Sequence, residues 1–155
     1  MKINVAEQLH IVNIMPPIDI TGGVDADVFS MANYKHATII LAIGVSAAAF
    51  TKILVNEVDN FAGDNPVAIP FALYAEETAL GDTLAAKEAV AAAGKTPSAN
   101  DGIMYVIEID ADELSDGKGF IELSITNGVN AVLASAVAIL SGARFGGDQS
   151  ATAIA

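Results

Sequence analysis

Strand-length runs of apolar and β-branched residues, each closed by a turn signal, recur along the chain at short spacing. The cleanest is 120–126 (FIELSIT), where Ile121, Leu123 and Ile125 alternate with Glu122, Ser124 and Thr126. Side chains of a strand point alternately to its two faces, so this period of two reads as a half-buried strand. Asn127-Gly128 then supplies a tight turn. Upstream, 103–110 (IMYVIEID) sets Ile103, Tyr105, Ile107 and Ile109 on one face, with Glu108 and Asp110 ending the other. Downstream, 130–140 (NAVLASAVAIL) forms a long last strand stopped by Ser141-Gly142. Residues 37–45 (ATIILAIGV) are rich in β-branched residues, end near Gly44 and predict a buried strand. Residues 50–58 predict the next one, expected to pair with it as a hairpin. The turn-rich segment 59–66 leads into a strand over 67–75, where Pro70 has no donor and so requires an edge position or a bulge. This pattern predicts an all-β fold: an antiparallel sandwich or barrel-like (jelly-roll-like) single domain.

Two segments are less regular. Over 3–15, Leu9, Ile11 and Met15 fall on one side and Val12 and Ile14 on the other, before Pro16-Pro17 interrupts the ladder. This reads as an edge strand or an extended N-terminal arm. Residues 81–101 are alanine-rich with Lys87 and Glu88, which suits a short helix capped by Gly94. An irregular, partly extended path suits them equally on the residues alone. Residues 95–102 are a loop either way. The expected organisation is an arm over 1–17, a β domain over 18–147 and a small-residue tail over 148–155.

Composition narrows function more than fold. The chain's 155 residues can bury roughly two thirds of their unfolded surface, so no staple is needed. Apolar residues reach 53% and charged residues only 17%, a balance explained either by the many alanines, which are small and tolerated anywhere, or by burial of part of the surface between subunits. Net charge is −12, and the seven cations (Lys2, Lys35, Lys52, Lys87, Lys95, Lys118, Arg144) are scattered singly. Nucleic acids and anionic membranes attract clustered cations, so both are rejected as partners. With no cysteine there is no thiolate chemistry. The N-terminus lacks the apolar core of a signal peptide, and the most apolar run, 37–50, is too short to span a bilayer.

Constellations that carry chemistry were sought and not found. His10 and His36 are not at metal-ligand spacing, and His36 reads as a polar strand-end residue. The acidic turn Asp110, Asp112, Glu113, Asp116 fails the calcium-loop pattern because Leu114 stands where an oxygen ligand is required. The clusters Asp59, Asp64, Asn65 and Asp19, Asp25, Asp27 read as solvated loops. There is no Gly-x-Ser-x-Gly elbow and no phosphate-binding glycine loop. The expectation is no catalytic residue, no cofactor, no metal and no enzymatic activity.

The runs IMYVIEIDADEL, GFIELSITN and NAVLASAVAILSGARFGG together resemble a group of small virion structural proteins of tailed bacteriophages, of the head decoration (cement) class. The matching positions are Tyr105 to Asp110, Gly119-Phe120, and Leu140 through Gly147. The earlier run ANYKHATIILAIGVSAAAFTKILVNEVDNF is similar in style. The resemblance implies a β domain bound to the major capsid protein on the outer face of the shell, as a homo-oligomer with a trimer favoured. It transfers no catalytic residue. Candidate capsid or subunit contacts are Leu9, Ile11, Val12, Ile14 and Met15 in the arm, and Arg144 and Phe145 near the tail. Removing residues 1–15 is then expected to abolish retention on capsids while leaving the domain folded. A tail or head–tail connector component and a carbohydrate-binding β-sandwich are the competing readings.

Overall fold

The computed structural model describes residues 4–76, 83–144 and 154. After one helical turn, α1 (Val5–Gln8), the chain forms β1 (His10–Asp19), β2 (Val24–Asp25), β3 (Phe29–Ser30), β4 (His36–Ser46), β5 (Lys52–Val58) and β6 (Val67–Ala68). There follow β7 (Phe71–Glu76), β8 (Glu88–Val90), β9 (Met104–Asp110), a 3₁₀ turn at Ala111–Glu113, β10 (Phe120–Thr126) and β11 (Val132–Ser141). Six strands form one sheet in the order β1-β11-β4-β9-β7-β8. The other sheet runs β2-β10-β5-β6, with β3 also on β10. All pairings are antiparallel. The sheets pack face to face as a sandwich, as the alternation predicted.

The core is the sum of the inward rows. Ala37, Ile39, Leu41 and Ile43 of β4 and Tyr105, Ile107 and Ile109 of β9 meet Ile53 and Val55 of β5 and Ile121, Leu123 and Ile125 of β10. The Tyr105 hydroxyl, carried into the interior on this row, accepts the Ser98 N–H at 2.8 Å. That bond satisfies a buried polar atom and fixes the loop beside it. Glu57, 2% exposed, accepts the Ser115 N–H at 2.8 Å and ties the turn after β9 to β5.

Three expectations change. β4 and β5 do not form a hairpin, because they lie in different sheets and face one another across the core. Their connection is held by Ala47 N–H to Ala131 O at 2.8 Å and Thr51 N–H to Thr126 O at 2.9 Å, beside the parallel crossing from β10 to β11. Phe50, 2% exposed, carries the core into this connection. The strand expected over 67–75 is split at Ile69-Pro70. Ile69 N–H still bonds Val55 O in one sheet, while β7 belongs to the other. Proline cannot donate to a ladder, and the chain changes sheets there.

The third change concerns the arm. Residues 10–19 are the edge strand of the six-stranded sheet, paired with β11 through and beyond the prolines. The register shifts between Asn13 and Met15 and again before Ile18. These bulges accommodate Pro16 and Pro17 and turn Met15 inward with Val12 and Ile14, against the alternation expected from sequence. Over 83–101 the path is extended rather than helical, with β8 and a bridge from Lys95 to Ile53. The expected tail over 148–155 lies outside the described residues apart from Ile154, which bridges Phe29.

Candidate functional site

The two outer faces of the sandwich differ in chemistry. On the five-stranded sheet, β10 presents Glu122, Ser124 and Thr126, and Ser124 Oγ donates to Asp25 at 2.5 Å. This is the polar exterior usual for an antiparallel sheet. The six-stranded sheet is apolar outside as well as inside. Its register places Ile11, Ile139, Thr38, Glu108 and Ala72 in one row across β1, β11, β4, β9 and β7. The next row is Asn13, Val137, Ile40, Val106 and Tyr74, and a third holds Ser135, Ala42, Met104 and Glu76. Beyond them Leu133 and Val45 are 49% and 69% exposed. The second row contains no Asp, Glu, Lys or Arg, and the third is charged at its β7 end by Glu76.

At one end of this face, polar groups converge over β4, β9 and β7. A groove of about 450 Å³ is lined by His36, Tyr74, Lys87, Glu108, Asp110 and Glu113, with Ala72, Leu84 and Val106 as its apolar part. His36 opens β4 opposite Asp110. Its Nδ1 lies 2.6 Å from Asp110 Oδ1 and its Nε2 lies 2.5 Å from Glu108 Oε2. Thr38 Oγ1 donates to the same Glu108 oxygen at 2.7 Å. A neutral imidazole donates from only one nitrogen, so both contacts are satisfied together only by the imidazolium. Partial burial opposes that charge, but the hydrogen bonds and charges of Asp110 and Glu108 outweigh it and raise the His36 pKa above 6.5.

The sign of the linkage follows. A raised folded-state pKa contributes stability that is complete below the unfolded value near 6.5 and is lost as pH rises through the folded value. Wild-type protein is therefore expected to melt above His36→Gln at pH 6, by a margin that shrinks towards pH 9. Paired thermal melts across that range measure it. A margin independent of pH would show that the imidazolium is not what joins β4 to β9.

The remaining acidic clusters are occupied structurally. The Asp110 N–H donates to Glu113 Oε2 at 2.9 Å, closing a capping box on the 3₁₀ turn. Lys118 Nζ lies 2.5 Å from Asp59 and donates to Asn65 O at 2.9 Å, so that loop carries its own counter-charge. Lys118 and the Asn65 side-chain amide, which donates to Asp59 Oδ2 at 2.6 Å, hold the Asp59 carboxyl below its usual range. Asp19 is likewise lowered, by hydrogen bonds from the Thr21 side chain, the Thr21 N–H and the Val132 N–H. Among the described residues, no group of three or more His, Asp or Glu is placed to hold a metal ion. No described helix is long and apolar enough to cross a membrane.

The candidate contacts do not form one site. Val12, Ile14 and Met15 are 4%, 1% and 2% exposed and belong to the chain's own core, so they are unavailable to a partner. Leu9 is half-buried where α1 meets β1, and Ile11 is 49% exposed on the apolar face. Arg144 is exposed, donates its N–H to Asn33 O at 2.9 Å, and lines a separate groove with Lys35, Asp110 and Asp112. Phe145 lies outside the described residues. Sequence reasoning missed the His36 cluster because Glu108 is 72 residues away and no local pattern joins them.

No protein-family model and no curated protein matches the chain. Among solved structures, it is similar to the SPBc2 prophage-derived protein YomS, at 11% identity over 85% of this chain and 93% of that one, with a TM-score of 0.48.

Proposed function

We propose that the chain is a non-catalytic structural protein of a bacteriophage virion. In this reading it binds the major capsid protein on the outer face of the shell and stabilises it, as a homo-oligomer with a trimer favoured. The observation that carries this reading is the apolar exterior of the six-stranded sheet on an otherwise acidic domain. A sheet apolar on both faces needs cover on both, which an assembly provides. The resemblance of 103–147 to cement-class proteins supports the same reading. So does the net charge of −12, which disfavours a position against packaged DNA and suits the outer surface. Many modest contacts repeated around a shell add through multivalency, so no single contact has to be strong.

The test is copy number in purified particles, by quantitative mass spectrometry against the major shell protein. Abundance comparable to the shell protein is the expected result. A handful of copies would move the chain to the tail or connector, and its absence from particles would refute a virion role.

A further inference from the structure

We propose that the outer face of the six-stranded sheet turns towards the symmetry axis of a homo-oligomer, where it meets the like face of other copies of this chain. The inference rests on the homo-oligomer part of the reading above and not on its capsid part.

Charge selects the occupant. Two copies that each carry −12 repel over most of their surfaces, and a contact between them forms most readily where charge is absent. The row Asn13, Val137, Ile40, Val106, Tyr74 is uncharged across five adjacent strands, although Val106 is itself only 8% exposed, and Ser135, Ala42 and Met104 continue the uncharged surface across β11, β4 and β9 as far as Glu76 on β7. A basic partner would instead be drawn to the carboxylates elsewhere. A neutral face opposed to its own copy is self-complementary, as symmetric association requires.

Area is adequate. Five strands about 4.8 Å apart and three rows about 6.8 Å apart give a footprint of about 500 Å². A standard interface takes about 800 Å² from each partner. Leu133 and Val45, 49% and 69% exposed, prolong the apolar surface beyond the third row. The rim is polar, with His36, Glu108 and Lys87 at one end and Asp19 at the other. An apolar centre within a polar rim is the usual anatomy of a subunit interface.

Sedimentation equilibrium of the isolated full-length chain, without capsids, tests this. Wild-type protein is expected at two or three times the chain mass. Ile40→Glu, which sets a charge in the middle of the face and repeats it in every copy, is expected to weaken association by at least about 30-fold. Thr126→Glu, which adds the same charge on the opposite sheet, is expected to leave the mass unchanged. Thermal melts establish that the variants fold. If Ile40→Glu does not, Ser135→Arg on the same face decides the matter. A monomeric wild type, or an oligomer insensitive to the face substitutions, overturns the inference. So does a monomer that Ile40→Glu detaches from capsids, because the face then belongs to the shell. A monomer that still coats capsids overturns this inference and leaves the virion reading intact.

Discussion

Deleting residues 1–15 is expected to unfold the domain rather than only detach it from a partner. The deletion removes half of β1, which pairs with β11 from His10↔Leu140 onward. It takes Val12, Ile14 and Met15, exposed by 4%, 1% and 2%, out of the core. It also removes the Ile14 carbonyl that accepts the Asp27 N–H at 2.8 Å. Truncating one buried aliphatic side chain to alanine costs about 2–5 kcal/mol, so losing three amounts to about 6 kcal/mol or more. That is comparable with the whole stability of an ordinary domain, about 5–15 kcal/mol. Part of the β11 edge, with its unpaired donors and acceptors, is exposed as well. Deleting residues 1–9 is the control. It removes only α1, which contains no buried residue, the residues before it and the half-buried Leu9. Circular-dichroism melts are expected to show a cooperative transition close to wild type for the shorter deletion and none for the longer. A wild-type transition after removal of 1–15 would return β1 to the status of a detachable arm.

The contrast between this outcome and the expectation from sequence shows where reading the chain succeeds. Period-two alternation reports which side chains point inward, and Ile121, Leu123, Ile125, Tyr105, Ile107 and Ile109 are buried as their alternation requires. Alternation does not report which strands pair. β4 and β5 are adjacent in sequence and strongly apolar, yet they lie in opposite sheets, because five residues suffice to cross the open end of a sandwich. Local rules also fail where the ladder is irregular. Pro16-Pro17 read as a stop and is instead accommodated by bulges, since an edge strand needs its donors on one side only. The apolar exterior was hardly legible: the run over 37–45 predicted a buried strand and did not say what would cover its outer side. The rows that extend it across Val137 and Val106 depend on register, which no single strand encodes. The His36 cluster was illegible for the same reason.

Residues 81–101 were the most ambiguous stretch, and Gly94 decides what the described part of it does. Read as a possible helix cap, Gly94 does adopt a positive φ of +83°, but in a turn that leads from β8 to the bridge with β5. Its neighbour Lys95 exchanges two backbone hydrogen bonds with Ile53, at 2.8 and 2.9 Å. That close approach leaves no room for a side chain. A Cβ at Gly94 would stand 2.5 Å from Ile53 O and 2.7 Å from Leu54 Cδ2. Backbone strain at a non-glycine residue in this region costs about 1–3 kcal/mol. Overlap with a backbone oxygen adds to it, because relief requires breaking the Lys95–Ile53 pair, so Gly94→Ala is expected to cost about 3 kcal/mol or more. In a chain of this size that lowers Tm by about 6–12 °C. Gly117→Ala separates the two causes, since Gly117 has a φ of +84° and nothing within 4 Å of its Cβ position. It is expected to cost about 1 kcal/mol, the strain alone. Thermal melts of both variants measure the difference, which is the energy of the close approach. Equal losses at the two positions would mean that the Ile53–Lys95 bridge yields without cost and that the segment from β8 onward is not anchored to β5.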